Sequence, residues 1–316
     1  MKRLIWGVLL AVALHSPAWA VTDYFIPVQA GSSAQTARMG HIGGFTNLSD
    51  AVYDNPAALD DINQFSASIF QTTFMGEATY QNLSAAIRIP GGVVGVGLMR
   101  VGVDGFTKTY AQTYPGFTDY DGDLTTWQIL PTGNFGYNNM VMKAVYQFTQ
   151  NNIISWGIGA TYYTTSVDTL TGSGVNFDAG AKFNLDPLVL SVSIQNLVPG
   201  LGVKYSNGGQ EKLPLHSIYA ASYRWEDFKF LGQLEVSDGA NKKMLRSAAV
   251  NYAPSFLSQI QGSIGYHETA VGRDSASSIT MGLGLQLDGV NFDYGYETSE
   301  NIMYNSKHYF SLGFSM

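Results

Sequence analysis

From His308 to Met316 the chain reads H-Y-F-S-L-G-F-S-M. Phe310, Leu312, Phe314 and Met316 share one face of an extended chain, and Tyr309, Ser311, Gly313 and Ser315 share the other. An apolar period of two specifies a strand rather than a helix. A strand that is apolar on one side needs either a sandwich core or lipid against that side. In lipid no sheet edge can stay unpaired, so a terminal strand there must close against the first. The four apolar residues would then form the terminal-strand signal read by a barrel-assembly machinery.

Upstream, alternating segments of about nine to twelve residues recur, the length that a tilted membrane strand needs. They fall near 65–75, 79–89, 92–103, 138–148, 153–164, 174–183, 187–196, 215–224, 226–237, 244–252, 259–267, 277–287, 290–298 and 307–316. Fourteen is an even number, as antiparallel closure requires. Ile279, Met281, Leu283, Leu285 and Leu287 oppose Thr280, Gly282, Gly284 and Gln286; Val175, Phe177 and Ala179 oppose Asn176, Asp178 and Gly180. Arg88, Lys143, Asp178, Lys182, Lys229, Glu235, Asp293 and Glu297 all take the polar parity of their strands. On a lipid face each would cost a few kcal/mol at mid-depth. Inside a barrel they either fill the lumen as ion pairs or line a path. The connections alternate too. Pro90-Gly91, 150–152, 184–186, Trp225 and Asp288-Gly289 are tight turns, whereas 104–137, 165–173, 197–214, 238–243, 268–276 and 299–306 are longer. The short connection at 76–78 and the longer turn at 254–258 are exceptions. The expected fold is therefore an all-β, fourteen-stranded antiparallel transmembrane barrel over 65–316.

Composition agrees. Charged residues make up 13% of the chain and aromatics 13%, with 19 Tyr, 17 Phe and 35 Gly in 316 residues. The charged share is about half that of ordinary soluble domains. There is no cysteine, which excludes thiol chemistry and disulfides. Residues 1–20 read as a secretory signal, with Lys2 and Arg3, an apolar run over 4–14 and Ala18-Trp19-Ala20 for cleavage near Ala20. Cleavage takes the formal charge from −7 to about −9. So acidic a chain is unsuited to nucleic acid, which demands phosphate neutralisation. No later run approaches the roughly 18 apolar residues of a membrane helix. The expected address is the outer membrane of a Gram-negative-type bacterium, with its lipid as the surrounding partner.

Residues 21–64 lack sustained alternation and are rich in Gly, Ala, Ser and Asp. They read either as a plug folded into the lumen or as a disordered leader. Leu48, Val52, Leu59 and Ile62 favour burial. Asn55-Pro56 favours a turn, with Pro56 able to open a short helix.

The pattern Ala37-Arg38, Gly43-Gly44, Asp50-Ala51 and Asn55-Pro56-Ala57-x-Leu59 resembles the N-terminal region of PorV/PorQ-type outer-membrane proteins, part of the FadL-like superfamily of fatty-acid transporters. Phe177-Asp178-Ala179-Gly180, Ser193 to Leu197, Leu213-Pro214-Leu215 and Phe292 to Tyr296 also resemble that family. His41, Phe45 and Ala58 depart from it, standing where Gly, Ala and Gly are expected. The resemblance implies a fourteen-stranded barrel with an N-terminal hatch. It also implies one of two activities: passive uptake of hydrophobic small molecules, with a bound lipid or fatty acid as the ligand, or docking of exported proteins. A barrel whose outer loops adhere is a third reading. By the same resemblance an interruption of the third strand, crowded with Gly95, Gly97 and Gly102 and broken by Arg100, would make a lateral opening; ordinary strand glycine is the competing account.

No catalytic, cofactor or metal site emerges. His41, His216, His267 and His308 sit in no nucleophile motif, so no enzyme is expected. Asp119, Asp121 and Asp123 have calcium-loop spacing without the later bidentate Glu, and an ordinary solvated loop explains them as well. The same loop carries Phe106, Tyr110, Tyr114, Phe117, Tyr120 and Trp127, which would dock a partner or pack as a lid.

Overall fold

The computed structural model describes residues 31–74, 78–113, 127–149, 153–239, 244–271, 274–298 and 306–316. The Asp119–Asp123 spacing and residues 1–30 lie outside them. Fourteen strands form a closed antiparallel barrel: β1 (Phe65–Phe74), β2 (Ala78–Ile89), β3 (Gly92–Thr113), β4 (Trp127–Thr149), β5 (Ile154–Val167), β6 (Leu170–Leu185), β7 (Leu188–Gln195), β10 (His216–Trp225), β11 (Phe228–Ser237), β12 (Met244–Tyr252), β13 (Ile260–Val271), β14 (Asp274–Leu287), β15 (Val290–Glu297) and β16 (Lys307–Ser315). A small hairpin, β8 (Gly202–Tyr205) and β9 (Gln210–Lys212), is added beside the long end of β6. Closure runs through β1 and β16 in register from Ser66↔Ser315 to Thr72↔Tyr309. Met316 extends it, donating its N–H to Phe65 O at 2.9 Å and accepting from Gln64 N at 2.9 Å.

The terminal alternation resolves as lipid outside and lumen inside. Phe310, Leu312, Phe314 and Met316 are exposed on the outer wall, while Tyr309 and Ser311 are buried within. The outer face turns polar at the level where Gln71, Gln81 and Arg100 lie side by side, which marks one edge of the apolar belt. Near the tight-turn end Tyr223, Trp225, Phe228, Phe230 and Tyr252 form an exposed aromatic band, with the Phe228 and Tyr252 rings 4.9 Å apart. Turn chemistry agrees with turn shape. Asp288 (φ 40) and Gly289 (φ 85) are both left-handed, as a two-residue type I′ hairpin requires.

Several expected boundaries differ, among them the connection 268–276, into which β13 and β14 extend with pairing on to Val271↔Asp274. Residues 104–113 and 127–137 are not a loose connection. They continue β3 and β4 as a ribbon beyond the apolar belt, with register shifts at Val103/Phe106 and Lys108/Thr109. Likewise β5 and β6 pair from Ile154↔Phe183 to Val167↔Leu170, so 165–173 narrows to a tight turn at Asp168 and Thr169. The connection 197–214 contains β8 and β9. Past the belt neither face meets lipid, so these extensions carry no apolar alternation to betray them.

Residues 31–62 lie against the lumenal wall, as helices α1 (Ala34–Arg38) and α2 (Ala51–Asp54) and a 3-10 helix (Pro56–Asp61). Ala34, Ile42, Ala51, Val52, Tyr53, Ala57 and Leu59 are each 0% exposed, so the segment buries its aliphatics inside the ring of strands. Val52, Tyr53 and Leu59 join Val93, Met99, Val101, Val141 and Val145 in one apolar cluster.

Candidate functional site

The segment is fixed by specific side chains. Asn55 Oδ1 accepts from Ala57 N at 2.9 Å, capping the 3-10 helix, and its Nδ2 donates to Ser191 Oγ at 2.8 Å. Only glycine fits the wall behind it: a Cβ at Gly180 would stand 1.9 Å from Asn55 Oδ1, and one at Gly157 2.3 Å from Pro56 C. Arg38, 1% exposed, donates from Nε to Asp293 Oδ1 at 2.9 Å, and from Nη1 to Asn251 Oδ1 at 2.7 Å and Ser263 Oγ at 3.0 Å. Lys182 Nζ holds Asp60 and Asp61, each at 2.7 Å, and Arg88 donates to the carbonyls of Ile62 and Asp60. Gly43 N donates to Gln233 Oε1 at 3.0 Å. Ala37 is buried, and Gly44 (φ 82) faces Ser191.

The glycines of β3 are placed otherwise than a lateral opening needs. The β2–β3 ladder is continuous from Thr79↔Gly102 to Ile89↔Gly92, and β3–β4 pairing is continuous from Val93 to Val103. Gly95 and Gly97 face inward. A Cβ at Gly95 would meet Val52 Cγ1 at 2.6 Å, and one at Gly97 would meet Tyr53 Cε1 at 2.5 Å. Arg100 and Gly102 lie on the opposite parity, and Arg100 Nε donates to Asn138 Oδ1 at 2.7 Å on the outer wall. Missing side chains here admit the segment, which demands the same residue as a break in the strand would.

Between the α1 side of the segment and the wall of β7, β10, β11 and β13 lies a cavity of about 240 Å³, toward the end of the long connections. Asp54, Ser193, His41, His216, Glu235 and His267 line it, with Ile218, Leu245 and Pro214 as its apolar part. His41 Nε2 lies 2.9 Å from Glu297 Oε2, which also accepts from Tyr309 OH at 2.6 Å, and Lys307 Nζ lies 3.2 Å from Oε1. His216 Nε2 lies 3.1 Å from Glu235 Oε2, and Gln233 Nε2 donates to Glu235 Oε1 at 2.7 Å. His267 Nδ1 lies 3.0 Å from Ser247 Oγ, and its ring centroid is 4.5 Å from that of His41. The His41 backbone is left-handed (φ 57), a conformation that favours glycine, yet the position carries an imidazole over the cavity.

Burial raises the Asp54 carboxyl from 3.8 to about 7, with the Asp50 charge adding to the rise. Burial likewise raises Asp50 to about 6. Among the described residues no cluster of three or more metal-ligating side chains is present. None of the cavity histidines stood out in the sequence as binding residues. The available signal was that Glu235 and Glu297 share the lumenal parity; their imidazole partners come from other strands and from the inner segment.

No family model and no curated protein matches the chain. Among solved structures, the monoaromatic hydrocarbon channel CymD aligns over 93% of this chain and 99% of its own, at 12% identity and a TM-score of 0.60. The toluene transporter TodX of Pseudomonas putida aligns over 93% of this chain and 98% of its own, at 12% identity and a TM-score of 0.57. The likeness is one of fold: the chain shares its closed fourteen-stranded antiparallel barrel with these channels.

Proposed function

We propose that the protein is a passive outer-membrane channel for small hydrophobic molecules, delivered by a signal removed near Ala20, with the segment up to residue 64 as its hatch. The observation that carries this is the combination of a closed barrel and a lumen occupied at one level by residues 31–62, with an accessible cavity beside them. The hydrocarbon channels that share the fold support the choice of substrate class. Passage requires α1 and its flanks to shift, because the β3 ladder offers no gap. Uptake of radiolabelled toluene by cells of an outer-membrane host lacking its own hydrocarbon channels tests the reading. Faster uptake with this protein is expected. Uptake equal to that of cells carrying a plain barrel of similar size would overturn it.

A second reading, docking of exported proteins as the PorV/PorQ resemblance implies, is favoured by the β3–β4 ribbon. It stands beyond the belt with Phe106, Tyr110, Ile129 and Leu130 exposed. Native mass spectrometry on protein taken from its own membrane separates the two: a bound lipid or other apolar molecule favours the channel, and a co-purifying exported protein favours docking.

A further inference from the structure

We propose that the lumenal cavity is a binding site for a small organic cation, an amine with its ammonium end at Asp54 and Glu235 and its apolar body against Ile218 and Leu245. Hydrogen bonding in the cavity is unmet. Asp54 Oδ2, Ser193 Oγ, His41 Nδ1 and His216 Nδ1 are buried without a partner, and all four residues line this one cavity. The bonds that are made fix the direction of those that are not. An ionised carboxylate only accepts, so His41 Nε2 and His216 Nε2 carry their protons toward Glu297 and Glu235. In the neutral imidazole the other nitrogen is then an acceptor. With neutral imidazoles, Asp54 Oδ2, His41 Nδ1 and His216 Nδ1 are acceptors and the Ser193 hydroxyl can accept as well, so a group with several donors can satisfy them together.

Charge points the same way. Carboxyl groups of Asp54 and Glu235 line the cavity, and no lysine or arginine does. An ammonium group supplies three donors, and its charge would draw Asp54, raised to about 7 by burial, to the ionised form. A carboxylate end, such as that of a fatty acid, would meet the like charges of Asp54 and Glu235, with hydroxyls such as that of Ser193 to donate but no lysine or arginine to pair with. The volume suits a molecule of one ring rather than a long chain, since drug-sized pockets begin at about 300 Å³. The proposal deepens the channel reading and rests on it only for the route by which the ligand arrives.

Isothermal titration calorimetry on the full barrel in mild detergent tests it, with benzylamine, benzyl alcohol and benzoate as probes of one shape and three charges. Saturable binding of benzylamine is expected, with benzyl alcohol weaker and benzoate silent. Glu235→Gln and Asp54→Asn should each weaken benzylamine by about tenfold or more. Heat-modifiable mobility in gels shows whether each variant is folded. Benzoate binding as tightly as benzylamine, no binding by benzylamine, or full affinity in both folded variants would overturn the proposal. Lost toluene uptake with benzylamine binding intact would count against the channel reading alone; intact uptake with no benzylamine binding would count against this site alone.

Discussion

The wall formed by β3 to β6 meets residues 51–59 largely with glycines and aliphatic side chains, whereas the wall formed by β11 to β15 adds to its glycines and aliphatics a set of carboxylates, amides and imidazoles against residues 31–45. On the first side Val52, Tyr53 and Leu59 enter spaces left by Gly95 and Gly97, and contact is close and mostly dry. On the second, Gly265 and Gly282 also admit the segment closely and Met39, Ile42 and Phe45 pack on Ala220, Leu231 and Ala249, but Arg38, His41 and Gly43 bind the wall through hydrogen bonds, and a cavity remains beside them. Close apolar packing has little slack, because interiors pack like crystals. A polar contact can exchange its partner for water or a ligand. The difference points to the β3–β6 side as the fixed hinge of the inner segment and the β11–β15 side as the part that yields.

Breaking the polar side should produce the largest effect. Arg38→Ala leaves Asp293 buried without its cation, a loss of about 3–5 kcal/mol for a pair this enclosed. Residues 31–45 should become open to proteinase K while the barrel keeps its heat-modifiable mobility. Unchanged protection would mean that the polar wall does not hold the segment. Gly97→Val attacks the dry side. The new side chain collides with Tyr53 and Val52, costing about 1–3 kcal/mol. Amide exchange should quicken in residues 51–59 more than in 31–45; the reverse order would reverse the assignment of hinge and yielding part.

Much of the barrel was legible because lipid imposes a period of two on every strand it touches. Phe310, Leu312 and Phe314, and Ile279 to Leu287, could face only one way. Where lipid ends, legibility ends: residues 104–113 and 127–137 are strand without alternation and read as a connection. The glycines of β3 were visible but ambiguous, since an absent Cβ serves a strand break and a close neighbour equally. The cavity was hidden for a different reason. His216 and Glu235 meet across the β10–β11 hairpin, but His41 reaches His267 and Glu297 only through the path of the inner segment, which no spacing in the chain records. Arg38 and Asn55, by contrast, came to notice through resemblance, and the structure supplies each with buried partners.

Acidity should tune the same contrast by a smaller amount. The carboxyls of Asp50 and Asp54 are raised from 3.8 to about 6 and about 7, chiefly by burial. The docked segment therefore favours their protonated forms. That contribution is fully present below the unfolded value and is lost as pH rises through about 6 to 7. Amide exchange over residues 51–54, corrected for its intrinsic pH dependence, should be slower near pH 5 than near pH 8. Asp54, raised further than Asp50, should account for the larger part of the difference. Asp54→Asn should flatten part of this dependence, and a wild-type profile in that variant would remove Asp54 from the account.

The smallest effect is expected outside both walls. Lys108 on the ribbon reaches Asp168 in the β5–β6 turn at 2.5 Å, with side chains 51% and 38% exposed. Such a pair is screened by water and salt and contributes roughly 0–1 kcal/mol. Lys108→Ala should leave both barrel stability and protease resistance of residues 31–62 unchanged. Accelerated digestion of those residues in this variant would tie the ribbon to the lumen. The ribbon's exposed aromatics would then belong to the movement of the inner segment, and the contrast between the two walls would need a third party.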